Sequence, residues 1–504
     1  MRSSIALWVL MSVSSAGFAS VGMYSSSPRL DSTVSRGSLV TFNFIPFVNE
    51  VDEHDVTVDF SAAPATIESI SSVNFKCSAT GATAHCTRAL FPKNTTSGIK
   101  VDVLMPSSLN GGRVTVVGTI RAASGSSYTW SPWVIIPRTF VVSNADGSLA
   151  EAIGLANGAC RDTQPCEIDF DIPPEESLTI APETPLPKIT ARRITIDGLK
   201  QVVLDGSRTS SAGLNLTGSD RITIRGLEIR NWEGPGILVN VSPVTALNAE
   251  IADSNLHHNL RGIMSIGVPF LYVHDNVISD NRRSGVWIEN GSYPAVYENK
   301  IEGNGASGVY FGPGSQFGMA DENQIWANRD FGVAIDPLAK WIEVRSNSMK
   351  QNGQLGIDFN LDLVTPNVAD DSTRPVPNSP VLTSATFDPL TKKTVIIGHV
   401  DLRKPADVGY YSPIVDVYRS SALDAHGMAQ GEHPLFGRSD YSSPVKINSW
   451  TGDFVSVYDG DLTGQYITAT YTRMYALGKG GVTPNYYESW QATSEFSAPV
   501  RVER

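Results

Sequence analysis

Between residues 250 and 360 the apolar positions fall in short runs of apolar–polar–apolar, and Asn, Gly or charge ends each run within a few residues. The stretch "NVISDNRRSGVWIENG" (276–291) is typical. Alternation with a period of two predicts strands with one face inward and one outward, and no helical period competes with it. Strands this short cannot bury a face alone, so each needs a partner, and repetition supplies one. Aligned on a glycine, "HHNLRGIMSIG", "SDNRRSGVWIENG", "EGNGASGVYFGPG", "WANRDFGVAID" and "KQNGQLGIDFN" superimpose. Gly262, Gly285, Gly308, Gly332 and Gly356 are spaced 23, 23, 24 and 24 residues apart. Two asparagines travel with each: Asn255/Asn259, Asn276/Asn281, Asn299/Asn304, Asn323/Asn328 and Asn347/Asn352.

A fixed period of this size predicts a solenoid in which stacked coils share one continuous apolar interior. About three short strands per repeat and no helical period fit a right-handed parallel β-helix. Less regular copies, "RRITIDGLKQVVLDG" and "DRITIRGLEIRNWEGPGILVN", extend it upstream. The asparagines suit such a coil, because Asn tolerates left-handed backbone at turns and stacked amides hydrogen-bond from rung to rung. Further upstream "DGSLAEAIGLANG" predicts one helix, with Ser148 and Glu151 as a capping box and Gly158 as a stop, placed to cover an exposed end. The flanks read as short strands separated by turn residues, such as "RVTVVGTI" and "GQYITATYT", which predicts a β-sandwich on each side. The expected organisation is all-β: a signal peptide over 1–19, an N-terminal β-sandwich over 26–138, the β-helix with its N-terminal capping helix over 139–379, and a C-terminal β-sandwich over 380–504 behind the Pro/Asp-rich "DLVTPNVADDSTRPVPNSP".

In the strand after each repeat glycine the first and third positions are Val286/Ile288, Val309/Phe311, Val333/Ile335 and Ile357/Phe359, all apolar and therefore inward. The second and fourth then face solvent: Leu238/Asn240, Trp287/Glu289, Tyr310/Gly312, Ala334/Asp336 and Asp358/Asn360. The coil at Gly262 puts Ser265 inside and Met264 and Ile266 outside. With strands about 4.8 Å apart, Trp287 and Tyr310 form an exposed aromatic pair. Glu289 and Asp336 stand roughly 9–10 Å apart on the same spacing, near the upper end of the carboxylate separation of an inverting glycosidase. Arg282, Arg283 and Arg329 lie in the turns before these strands and would rim a groove. The expected site is Glu289, Asp336 and Arg283 as catalytic groups, with Trp287, Tyr310, Asn240 and Asn360 as substrate-binding groups, on one long wall suited to an extended sugar polymer. A plainer reading stands beside it: solvent-facing strand positions are ordinarily polar, and Trp and Tyr favour strands anyway. His257, His258 and His274 show no metal spacing. Asp358, Asp362, Asp370 and Asp371 are oxygen ligands of the kind calcium takes, without EF-hand spacing; a structural calcium and a solvated acidic turn are the two expectations there.

Composition narrows the partners. A chain of 504 residues exceeds one ordinary core. Charged residues are only 18% and the net charge is −12, which argues against nucleic acid while leaving acidic polysaccharide open through a local arginine strip. Arg2, "IALWVLMSV" and "SAGFAS" form a secretory signal with cleavage near Ala19, and no later run is long and apolar enough for a membrane span. Cys77/Cys86 and Cys160/Cys166 are local pairs that would close small disulfide loops in an exported chain; a metal site would need His or Cys partners at zinc spacing, which the surroundings lack. The expected location is extracellular, at the cell surface or in the periplasm.

The repeats resemble the pectin-lyase-like right-handed β-helix superfamily in its N-x-I-x-x-x-N-x-x-x-G-I/V form. "DGSLAEAIGLAN", "IDFDIP", "LPKIT", "ITIDG", "LGIDFN", "NSPVLTSA", "GQYITATYT" and "TSEFSAPV" resemble exported bacterial proteins with a CSLREAI-type segment, Gly147 standing for its Cys and Ala150 for its Arg. "FKCSATGATAHC" resembles repeat sandwich modules of bacterial surface proteins. The resemblance implies the β-helix and export. It does not choose an activity, because the superfamily includes lyases, hydrolases, epimerases and adhesins. The "NTDG", "DD" and "GHG" set of polygalacturonases, the "DPHD" of alginate epimerases and the "R-x-P-x-x-R" of pectate lyases have no counterpart in the repeat strands; "DD" occurs only at Asp370–Asp371, in the connection. The resulting expectation is a protein that engages extended extracellular polysaccharide along one wall, as a binding or adhesion protein. A glycoside hydrolase or uronate lyase on the same face is the alternative.

Overall fold

A computed structural model describes residues 20–28, 32–143, 148–171, 173, 177–217, 221–240, 248–369, 376–402, 414–436, 445–476 and 489–504. The expected signal peptide, Asp370 and Asp371 lie outside the described residues. The chain forms two compact units, one of residues 1–139 with 163–165, the other of residues 140–162 with 166–504.

The first unit is built from antiparallel sheets. One orders Val21–Ser27, Leu39–Val48, Ile99–Leu104 and Thr66–Ser72; another orders Ser127–Trp130, Val117–Arg121, Glu53–Ser61, Thr83–Phe91 and Lys76–Thr80. Alternate residues such as Phe42, Phe44, Val56, Val58 and Val101 close one core between them. Cys77 and Cys86 are a directly opposed cross-strand pair and are joined by a disulfide.

The second unit contains the solenoid. Its coils have three walls of parallel strands. One wall runs Ala249–Ala252, Leu271–His274, Ala295–Tyr297, Met319–Asp321 and Glu343–Arg345; the second runs Asn255–His257, Val277–Ser279, Lys300–Glu302, Gln324–Trp326 and Ser348–Lys350. The third runs Leu214–Leu216, Ile237–Asn240, Ile263–Ile266, Val286–Glu289, Val309–Phe311, Val333–Ile335 and Ile357–Phe359. A coil such as that of Ile278, Val286, Ile288 and Val296 buries all four side chains completely, each contributing about 1.5–3 kcal/mol. The helix Ser148–Ala159 turns Leu149, Ala152, Ile153 and Ala156 into the same core, and the Cys160–Cys166 disulfide follows it directly.

Two features explain the repeat. A Cβ at Gly308 would stand 2.5 Å from Ile325 Cγ2 and 2.8 Å from the Gly332 carbonyl oxygen, and its counterparts Gly262, Gly285 and Gly332 meet the next coil in the same way. Close approach of coils, not positive φ, therefore selects glycine. The asparagines form two buried ladders. Asn281 Nδ2 donates to Asn304 Oδ1 (2.9 Å), Asn304 Nδ2 to Asn328 Oδ1 (2.9 Å) and Asn328 Nδ2 to Asn352 Oδ1 (3.0 Å); Asn276, Asn299, Asn323 and Asn347 repeat the scheme. The left-handed turn residue expected of Asn is instead its predecessor: Asp275, Glu298, Glu322 and Ser346 have φ of 53–55°. In the coil at Gly262 the first ladder position is Ser254 rather than Asn255, since the Ser254 N–H donates to Asn276 Oδ1 (3.0 Å).

The C-terminal strands form two antiparallel sheets, Val381–Asp388, Lys393–His399, Asp453–Asp459 with Lys446–Ile447, and Ile414–Ser420, Tyr466–Ala476, Ser489–Thr493 with two short strands. They cover the last coil by completing its hydrogen bonds. The Met349 N–H donates to the Gly431 carbonyl (3.0 Å) and the Val344 N–H to Thr493 Oγ1 (2.9 Å). Arg345, fully buried, donates to Asp416 Oδ2 and Oδ1 at 2.8 and 3.2 Å.

Candidate functional site

The third wall carries the expected site. Strand register places Leu238, Met264, Trp287, Tyr310, Ala334 and Asp358 in one row. Asn240, Ile266 and Glu289 form the next row, which Asp336 and Asn360 continue past the strand ends through N–H donation to Phe311 and Ile335 carbonyls. Ser265 is inside, with Met264 and Ile266 partly exposed. Asn240, Arg283 and Asn360 are exposed, and Trp287, Glu289 and Asp336 are half-buried.

Exposure corrects part of the expectation. Tyr310 is only 8% exposed, Ala334 1% and Asp358 0%, so the second strand position is covered in the later coils. For Tyr310 the reason is local. Its ring leans over Gly312, where a Cβ would stand 2.7 Å from Tyr310 Cε1, and its hydroxyl donates to Asp336 Oδ2 (3.1 Å). Burial above all, then the Asp336 bond, push the Tyr310 phenol up to about 12. Asp336 Oδ1 accepts the Leu338 N–H (2.9 Å), so both its oxygens are engaged within the protein. The aromatic pair forms, with centroids 4.1 Å apart and planes tilted by 41°, but it is a packed column rather than an open platform.

Arg261 completes that column. Its guanidinium lies 4.5 Å from the Trp287 ring centroid, a cation–π arrangement. Arg261 comes from the preceding coil and Tyr310 from the next, so the indole is flanked along the axis. Burial pulls the Arg261 guanidinium below its ordinary value; the charge of Arg283 adds to that and Glu289 opposes it. Arg261 Nε and Trp287 Nε1 are both buried and have no hydrogen-bond partner within the protein. The counting of strand positions passes over Arg261 because it stands in the turn, immediately before the repeat glycine. Arg282, expected at the rim, donates instead to the Trp232 and Glu233 carbonyls at 3.1 Å.

Three other groupings stand outside that wall's expected site, and only the last was expected in part. Phe270, Tyr293, Phe317 and Trp341 stack successively at a corner of the solenoid, with centroids 5.4, 4.9 and 4.8 Å apart and planes within 26°. All four have φ of 55–58°, a conformation unusual for bulky residues. Their spacing, eight or nine residues past Gly262, Gly285, Gly308 and Gly332, was legible in the sequence. On the first wall His274 bonds Glu250 Oε1 (3.1 Å) and Asp275 Oδ2 (2.8 Å) and stacks on Tyr297. At the end of the solenoid Asp358 and Asp362, two of the expected calcium ligands, meet Glu495, one carboxylate oxygen of each lying within 4.8 Å of the others. No sequence spacing pointed to Glu495.

Residues 212–362 match the family model described as "Right handed beta helix region". No curated protein matches the chain in sequence. Among solved structures, the catalytic unit of an alpha-1,3-glucanase from Streptomyces thermodiastaticus aligns at 12% identity and TM-score 0.31, over 67% of this chain and 70% of that one. The A-module of a mannuronan C-5 epimerase from Azotobacter vinelandii aligns at 15% identity and TM-score 0.23, over 46% and 87%. A family 123 glycoside hydrolase from Clostridium perfringens aligns at 12% identity and TM-score 0.19, over 28% of this chain, which spans 33% of that protein's length. Among the described residues no helix is long and apolar enough to cross a membrane.

Proposed function

We propose that this is an exported β-helix protein that binds extended extracellular polysaccharide along its third wall, acting as a binding or adhesion protein. The observation that supports this reading is the pair of adjacent donors, Arg261 Nε and Trp287 Nε1, whose hydrogen-bonding capacity nothing in the protein uses. Buried donors without partners are rare, and a bound hydroxyl or carboxylate would satisfy them. Arg261 is a long side chain resting on an indole face; swinging it outward exposes both the donors and a stacking surface for a sugar ring. Arg283 and Glu289 beside it offer a further cation and acceptor, the mixture a polyhydroxylated or uronate-bearing chain requires. Two disulfides are consistent with export.

Catalysis on the same wall is the second reading. It is supported by Asp336, which accepts the Tyr310 hydroxyl at 3.1 Å, and by Glu289, whose charge helps to hold the same phenol above its ordinary value. Asp336 is committed to Tyr310 and Leu338, and this tips the balance toward binding. The test is affinity electrophoresis against a panel of neutral and uronate polysaccharides, with reducing ends and the ultraviolet absorbance of unsaturated uronates followed in parallel. Retardation without turnover, weakened in Arg261→Ala and Trp287→Ala, supports the binding reading. Turnover abolished in Glu289→Gln transfers it to catalysis, and neither retardation nor turnover with any polymer overturns both.

A further inference from the structure

Asp358 is the least expected side chain on the third wall. It is fully buried, and its Oδ1 has no hydrogen-bond partner, while Oδ2 accepts the Leu363 N–H at 2.9 Å. Around it stand two more carboxylates. Asp362 comes from the connection just after the last strand and is exposed. Glu495 comes from the segment after Ser489–Thr493 and is 6% exposed. The charged neighbours that act on Asp358 are these same carboxylates: burial first, then Glu495, push its carboxyl up to about 7 against the opposing N–H groups of Leu363 and Leu361, and Glu495 is raised by burial too, with Asp362 adding and the Phe359 and Thr365 donors opposing. An ionised oxygen buried without a partner is costly, and a second carboxylate beside it makes it more so.

We propose that Asp358, Asp362 and Glu495 together bind one calcium ion, which ties the C-terminal sheets to the last coil of the solenoid. The donor set is all oxygen, with no His or Cys in the group, as a hard cation prefers. Thr365 Oγ1 lies in the same cluster, 2.7 Å from Glu495 Oε1 and 3.3 Å from both Asp362 Oδ1 and the Phe359 carbonyl oxygen, so hydroxyl and carbonyl oxygens are at hand to raise the coordination number. Glu495 is preorganised in its ionised form, accepting N–H bonds from Phe359 (2.9 Å) and Thr365 (2.8 Å). The irregular arrangement suits calcium, which takes 6–8 oxygens in flexible geometry, better than magnesium, which demands a near-ideal octahedron. The site is independent of the polysaccharide reading, and neither result bears on the other.

The test is calorimetric titration of CaCl2 into the chelator-treated full-length protein, paired with thermal melts. One site is expected, with a dissociation constant on the order of 10⁻⁴ to 10⁻³ M, as in extracellular calcium modules. MgCl2 should bind more weakly, and the melting midpoint should rise with CaCl2. Asp362→Asn, at an exposed position, should weaken calcium binding about tenfold or more while leaving the calcium-free midpoint unchanged. Glu322→Gln, an exposed turn carboxylate elsewhere on the solenoid, should change neither. No heat and no midpoint rise with CaCl2 in the wild type overturns the proposal. So does an Asp362→Asn protein that responds like the wild type.

Discussion

Gln430 occupies the place of the next asparagine in a ladder that ends at Asn352: its Oε1 accepts the Asn352 backbone N–H at 3.0 Å and Nδ2 at 3.3 Å, while its own Nε2 donates to the Asn352 carbonyl at 2.8 Å. A residue of the C-terminal region thus imitates the coil that the solenoid lacks. An open solenoid end exposes strand edges and unmatched amides, which the neighbouring Gly431 and Thr493 bonds also satisfy. Gln430→Leu removes the imitation and leaves the Asn352 backbone N–H unpaired in a buried site, while Nδ2 keeps its bond to the Ile325 carbonyl. The expected loss is about 1–3 kcal/mol in urea denaturation. An unchanged unfolding midpoint would show that the ladder needs no terminal partner.

Within the ladder the repeat glycine is as demanding as the asparagine. Gly308→Ala drives a Cβ to 2.8 Å from a backbone carbonyl, which cannot rotate away as a flexible side chain would. Overpacking of this kind costs roughly 1–3 kcal/mol, and more where backbone must shift. Gly154→Ala, where a Cβ meets nothing within 4 Å, should leave the denaturation midpoint unchanged or slightly raised.

Period and polarity made the solenoid legible. Val286 and Ile288 read as inward from alternation alone, Ser265 read as an interior polar residue, and all three are buried. What alternation cannot report is a third dimension. It puts Tyr310 in the row of Trp287 but does not foresee its burial, because Gly312 leaves room for the ring to lie down and reach Asp336. Nor does spacing reveal partners from distant sequence: Glu495 bonds Phe359 across 136 residues, and Gln430 bonds Asn352 across 78. Arg261 escaped notice for a different reason, since it is a turn residue whose length carries it to the next coil's tryptophan.

The Tyr310–Asp336 bond gives a separable test of the third wall. Tyr310→Phe keeps the ring over Gly312 and deletes only the hydroxyl, so it should lower stability by about 1 kcal/mol. Gly312→Ala should cost roughly 1–3 kcal/mol by displacing the ring itself. Circular dichroism melts of the two variants, read against wild type, would sink this account if Tyr310→Phe proved the more damaging.

His274 sets a pH dependence on the opposite side of the coil. Its bond to Glu250 outweighs burial, and with Asp275 adding, the imidazole is raised from 6.5 to about 8. The ring also stacks on Tyr297, 4.8 Å away and within 14° of parallel, which favours the charged form further. Because the folded value lies above the unfolded one, the stabilisation is fully present below pH 6.5 and fades as pH rises through about 8. The rise corresponds to about 2 kcal/mol before screening, and to roughly 1 kcal/mol with Glu250 and Asp275 about half exposed. Denaturation midpoints of wild type and His274→Gln, compared at pH 6 and pH 9, should therefore differ most at the lower pH and converge at the higher. A gap that widens toward pH 9 would mean that the imidazole is neutral in the folded protein and that its neighbours hold it by shape, not by charge.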